Sequence, residues 1–142
     1  EILHTLSREG YIPVVSSVGT GEDGASYNIN ADQVAGALAG SLKAAKLIML
    51  TDVEGIYQEP SDPTTLISQL TADKARALMA SGQISHGMIP KVEACMEALA
   101  QGVGRTHIID GRKLHSILLE IFTNEGIGTM VVKEREGIDN DQ

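Results

Sequence analysis

Three short polar side chains, Asn28, Asn30 and Asp32, stand at every second position just ahead of a stretch rich in Ala and Gly. Such alternation turns all three toward one face of an extended segment. Asp32 then falls at or just inside a helix start. There a carboxylate suits the positive end of the helix dipole, and an Asn or Asp side chain satisfies free backbone N–H groups. A simple cap needs one such residue, and three exceed that requirement. Lys91, at the end of Ser85-His86-Gly87-Met88-Ile89-Pro90-Lys91, lies in the first turn of another helix, the only part of a helix that tolerates Pro90. A cation there is opposed by the dipole at about 0.3–1 kcal/mol. That cost makes sense if lysine and helix terminus together meet an anion, with Gly87 letting backbone N–H groups close on a phosphate. A solvated lysine on a helix face is the plainer alternative. Thr51-Asp52-Val53-Glu54-Gly55 offers hydroxyl and backbone groups suited to a nucleotide, or merely a turn after a strand.

The elements that must position these groups alternate along the chain. Residues 1–9 have helical spacing, with Ile2, Leu3 and Leu6 on one face. Residues 11–18 form a β-branched run that reads as a strand. Gly19-Thr20-Gly21-Glu22-Asp23-Gly24 spells a dinucleotide fingerprint, but Glu22 and Asp23 would face the pyrophosphate and no acidic residue lies between Asp32 and Asp52. It is expected to be a loop or hairpin. A helix over 31–45 follows, with a stripe of Val34, Ala35, Leu38, Ala39 and Leu42, and its small residues imply packing against a sheet. Residues 46–51 are a continuous apolar strand of the kind covered on both faces. A turn-rich excursion, a strand near 66–70 and a helix capped by Thr71 come next. The helix from Pro90 to about 101 is the longest, followed by a strand at 105–110, a helix at 114–122 and a strand at 128–132. This order predicts an α/β fold, a three-layer αβα sandwich with a mainly parallel sheet. In such sheets ligands sit beyond the carboxyl ends of the strands. Three polar clusters fall there: 16–19, 51–55 and Asp110-Gly111.

The chain has 142 residues and a net charge of −8, so nucleic-acid backbone and anionic membrane are unsuitable partners. Only 3% of residues are aromatic, so the core must be aliphatic. The single cysteine, Cys95, lies among Met88, Val92, Met96 and Leu99 at helical spacing and reads as core packing. The histidines fit no metal spacing with it, and no metal centre is expected. Without a visible signal peptide or membrane-length apolar run, a cytoplasmic location is expected, or the plastid stroma after loss of a transit peptide. Residues 133–142 read as a charged, frayed tail.

Tyr27-Asn28-Ile29-Asn30-Ala31-Asp32-Gln33, Thr51-Asp52-Val53-Glu54-Gly55-Ile56 and Gly87-Met88-Ile89-Pro90-Lys91, in this order and spacing, strongly resemble the C-terminal half of the N-acetyl-L-glutamate kinases, a branch of the amino acid kinase family. The resemblance runs from Gly10 to Val132. It implies a carbamate kinase-like fold, with residues 1–132 as the nucleotide-binding lobe, and ATP and Mg²⁺ as cofactors. It also implies transfer of the γ-phosphoryl group to the side-chain carboxylate of N-acetyl-L-glutamate in arginine biosynthesis. By that likeness Asn28 holds the substrate, Asp32 orients catalytic lysines, and Lys91 stabilises the phosphoryl group in flight. Thr51, Asp52, Val53, Glu54, Gly55, Ile56, Tyr57, Gln83, Ile84, Ser85 and Gly87 go to the nucleotide. A second catalytic lysine, a Gly-Gly pair and a substrate-binding arginine of the family's first half have no counterpart here. The chain alone is therefore expected to bind nucleotide weakly and not to turn over.

The stretch from Thr106 to Thr129 resembles the arginine-inhibited branch, which places His107, Glu120 and Gly126 at a feedback site for arginine. Members of that branch are typically hexamers, and those of oxygenic phototrophs bind a PII-type signalling protein. Rival readings are a kinase for aspartate, glutamate, carbamate or UMP, and a non-catalytic arginine-binding module. Lys91 with Asp32 speaks against the last, since a sensor needs no phosphoryl-stabilising lysine. The kinase reading also demands a geometry: the Asp32 carboxylate must hold the Lys91 ammonium.

Overall fold

The structure, a computed structural model, describes residues 1–124 and 126–133. The expected frayed tail lies outside the described residues apart from Lys133.

Short helix α1 (Ile2–Arg8) opens the chain, and no residue of it is buried. Strands β1 (Val18–Thr20) and β2 (Ser26–Asn28) form an antiparallel hairpin, as expected for the Gly-rich stretch between them. Helix α2 (Ala31–Ser41) is capped by Asn30, whose side chain accepts from the N–H groups of Asp32 at 2.9 Å and Gln33 at 3.2 Å. One residue of the polar triplet is thus the cap, leaving the Asp32 carboxylate free for other work. The main sheet has the order β3-β5-β6-β4, from Lys46–Thr51 (β3), Gln69–Thr71 (β4), Arg105–Asp110 (β5) and Thr129–Val132 (β6). β3 runs parallel to β5 and β4 parallel to β6, while β5 and β6 are antiparallel.

Parallel register places Leu47 beside Thr106 and Met49 beside Ile108, and Val131 pairs with Thr106 across the antiparallel ladder. These residues point into one aliphatic core. There they meet Ala75 and Leu78 of α3 (Ala72–Ala80) and Val92, Cys95 and Leu99 of α4 (Ile89–Ala100). The opposite face carries His107 and Ile109, and on it lies α5 (Ser116–Phe122), completing three layers. Cys95 is fully buried, as expected, and burial pushes its thiol up to about 11.

Three expectations fail, each for a reason of packing. Residues 11–16 form no strand; Ile12 is 88% and Val14 94% exposed, because no strand edge among the described residues pairs with them. β-propensity is a fit to a pleated surface, and here none is offered. β3 is not covered on both sides: its burial alternates, and Leu50 stays 53% exposed. Helix α2 packs chiefly on α4 rather than on the sheet, and its buried residues are Gly36, Ala39 and Gly40. The larger Val34 and Leu38 instead line an open apolar groove. Gly36 explains that choice of face. A Cβ there would stand 2.9 Å from the backbone oxygen of Ala94 and 3.2 Å from its Cα, so the two helices touch backbone to backbone.

Candidate active site and a second polar pocket

Close approach of α2 and α4 sets two first turns side by side. Asp32 occupies the second position of α2 and Lys91 the third of α4, and the Lys91 Nζ donates to Asp32 Oδ2 at 3.0 Å. Both side chains are about one-fifth exposed, at 23% and 21%. A pair so placed is shielded enough to be held, yet open enough to meet a ligand. α4 has no acidic residue in its first turn and no side-chain cap, so Lys91 lies at the positive end of its dipole. Pro90 has no N–H, and the Ile89 N–H donates to the Ser85 carbonyl at 3.3 Å. Nothing lies within 4 Å of where a Cβ on Gly87 would stand, so the approach there is open. Asn28 ends β2, exposed, two residues before the cap of α2.

One turn before Lys91, Met88 closes a cleft lined by Val53, Gly55, Ile56, Tyr57, Pro60, Gln83, Ile84 and Ser85. Its walls are tied together: Gln83 Nε2 donates to the Gln58 carbonyl at 3.0 Å, and Ser81 Oγ to Gln83 Oε1 at 2.9 Å. The structure thus gathers Val53, Gly55, Ile56, Tyr57, Gln83, Ile84 and Ser85 around one cavity beyond the carboxyl end of β3. Thr51, Asp52, Glu54 and Gly87 do not line it. The Thr51 hydroxyl, expected to face a ligand, turns inward: it accepts from the Val53 N–H at 2.8 Å and donates to the Val53 carbonyl at 3.1 Å. Gly55 lines the same cleft. Its φ lies outside the left-handed region, and a Cβ would stand 2.5 Å from Thr129 Oγ1. Contact with Thr129 therefore dictates the glycine.

Glu54 points away from the cleft, accepting from the Tyr57 hydroxyl at 3.0 Å and pairing with Lys113. Lys113, with help from Tyr57, holds the Glu54 carboxyl below its ordinary value. Burial and the neighbouring Glu54 raise the Tyr57 phenol. Beside them Asp110 takes Arg112 in a two-point grip, both contacts at 2.9 Å, and accepts the Arg112 N–H at 2.9 Å. These bonds hold its carboxyl at about 2. Sequence reading flagged Asp110 but not its partner Arg112, two residues on.

On the α5 face lies a polar pocket lined by Lys46, Ser68, Arg105, His107, Glu120 and Gly126, among others. His107 Nδ1 meets Glu120 Oε1 at 2.7 Å, with both side chains about 95% buried. Glu120 Oε2 accepts from the N–H groups of Ile127 at 2.7 Å and Gly128 at 3.0 Å. Burial works against ionisation of Glu120, but Ile127, His107 and Gly128 outweigh it and lower its pKa. His107 Nε2 is buried with no hydrogen-bond partner among the described residues. Gly126, at φ +64°, sits directly over the Glu120 carboxylate. No group of three or more His, Cys, Asp or Glu that could hold a metal ion occurs among the described residues.

Acetylglutamate kinase of Heliobacterium modesticaldum is 60% identical over 93% of this chain, which spans 45% of that protein. This chain thus covers about half the length of the curated relatives it matches. The N-acetylglutamate synthase of Neisseria gonorrhoeae, solved with coenzyme A and L-arginine, superposes with a TM-score of 0.84. It shares 33% identity and covers 94% of this chain, which in turn covers 30% of it. Carbamate kinase from Giardia lamblia, bound to AMP-PNP, shares the fold at a TM-score of 0.63 and 23% identity, over 80% of this chain and 36% of its own. The amino acid kinase family model matches residues 1–110, and the chain belongs to that family.

Proposed function

We propose that this chain is the nucleotide-binding half of an enzyme that transfers the γ-phosphoryl group of ATP to the side-chain carboxylate of N-acetyl-L-glutamate. The Lys91–Asp32 pair, one helical turn from the cleft, is the observation that carries the reading. Phosphoryl transfer runs through a loose transition state whose charge spreads over three oxygens, so catalysis is mostly positioning and charge neutralisation. Asp32 keeps the Lys91 ammonium aimed, and the positive end of the α4 dipole adds fixed charge at no reorganisation cost. The apolar cleft takes the base, between Ile56, Ile84 and Met88. Mg²⁺ enters with the nucleotide as its counter-ion, since such ions are held by phosphates and one or two carboxylates rather than by a protein cage.

The test is an assay of the full-length protein that carries this segment, trapping the acyl phosphate as a hydroxamate. Product is expected with N-acetyl-L-glutamate and MgATP and with no other acceptor among aspartate, glutamate and carbamate. Product from one of those instead would reassign the acceptor. No nucleotide-dependent product at all would overturn the kinase reading.

The polar pocket supports a second reading, regulation by arginine. Glu120 suits a guanidinium, Lys46 and Arg105 suit an α-carboxylate, and the partnerless His107 Nε2 offers one more contact. Arginine is expected to raise the melting temperature of the full-length protein and lower its velocity. Both unchanged would eliminate the site.

A further inference from the structure

The connection between α5 and β6 lines the polar pocket through Thr123, Asn124 and Gly126 and runs into Thr129, which is bonded to the cleft wall. At one end Glu120 grips the backbone of Ile127 and Gly128. Gly128 has no slack, since a Cβ there would stand 2.4 Å from the Ile108 carbonyl oxygen and 3.2 Å from that of Glu54. The next residue, Thr129, is fully buried. Its Oγ1 accepts from the Ile56 N–H at 2.8 Å and donates to the Ile67 carbonyl at 2.7 Å. Ile67 returns a bond from its own N–H to the Ile56 carbonyl at 2.8 Å. Thr129 therefore anchors the backbone of the cleft wall 73 residues away, with Gly55 pressed against it.

We propose that Thr129 is a positioning residue of the cleft and passes the state of the polar pocket on to it, an inference that rests on the nucleotide reading above. Both Glu120 oxygens are already engaged. Oε1 accepts once and Oε2 twice, so a cationic ligand that pairs with this carboxylate competes with His107 and with the Ile127 and Gly128 amides for its charge. Release of those amides loosens the tightly packed 127–129 run, and with it the Ile56 anchor. A ligand shifts an equilibrium only through such differential contacts. Coupling of this kind is reciprocal, so a nucleotide in the cleft must in turn tighten the Ile127 and Gly128 amides.

Calorimetry and amide hydrogen exchange on the full-length protein that carries this segment, with saturating MgADP as the probe, test this. In the unmodified protein MgADP is expected to slow exchange at Ile56 and at Ile127 and Gly128 together. Thr129→Val keeps the shape but removes the hydroxyl. It is expected to weaken MgADP about tenfold, the scale of one buried hydrogen bond, and to abolish the response at Ile127 and Gly128. Thr129→Ser, which restores the hydroxyl, is expected to recover both. Protection at Ile56 with none at Ile127 and Gly128 would overturn the coupling, whether or not Thr129→Val folds. Unchanged affinity in a folded Thr129→Val would overturn the positioning role while leaving the nucleotide reading intact. No binding of MgADP to the unmodified full-length protein would remove that reading and this inference with it.

Discussion

The ammonium of Lys91 lies 3.0 Å from the Asp32 carboxylate although 59 residues separate them in the chain. Neither helix places the pair alone. It exists because α2 and α4 approach closely at Gly36 and Ala94, where their backbones come together beside no more than the Ala94 methyl.

Removing the cation should cost rate more than affinity. A donor that stabilises developing charge is worth about 10²–10³ in turnover. Lys91→Ala in the full-length protein is expected to lower kcat by that factor and the nucleotide KM little. Steady-state kinetics decide it, and a loss under fivefold would end the catalytic role of Lys91.

Gly36→Ala pits two effects against each other. Ala is favoured over Gly inside a helix by about 1 kcal/mol. The added Cβ, however, would meet backbone atoms of Ala94, the nearest at 2.9 Å, which cannot swing aside as a side chain would. Overpacking of this kind costs about 1–3 kcal/mol. A lower urea midpoint is expected, and a higher one would show that α2 and α4 separate freely.

Acid should unfold the chain partly through Asp110. Its native carboxyl titrates at about 2, whereas the unfolded one titrates at its ordinary value of 3.8. The unfolded state therefore binds the proton first. The contribution of Asp110 is fully present above its ordinary value and is lost as pH falls toward about 2. Arg112→Gln removes the main cause of that shift. Thermal melts from pH 6 to 2 should then show a shallower acid limb for the variant than for the parent; parallel limbs would contradict the assignment.

Glu120→Leu should be far more damaging than its place on a short helix suggests. The change leaves His107 and the Gly128 N–H buried, and the Ile127 N–H half-buried, without their acceptor. Breaking such a buried set costs about 3–5 kcal/mol. Equilibrium urea unfolding gives the value, and a loss below about 1 kcal/mol, within the range of an exposed pair, would mean that the pocket rearranges.

Read alone, the residues determined the local and periodic parts of this protein. Apolar runs and caps placed β3, β5, α3 and α4 within a residue or two, because hydrophobic spacing and N–H satisfaction act over one or two turns. The spacing of Asn28, Asn30, Asp32 and Lys91 also marked where charge gathers. Tertiary structure decided everything that required a partner far along the chain. It denied residues 11–16 a sheet edge, laid α2 on α4, turned the Thr51 hydroxyl inward and gave Gly55 its reason in Thr129. That last contact left no trace in sequence pattern, since a threonine opening a strand looks the same whether or not it holds an amide 73 residues away. Side-chain hydrogen bonds and backbone-to-backbone approaches depend on final positions in space, and spacing along the chain does not encode them.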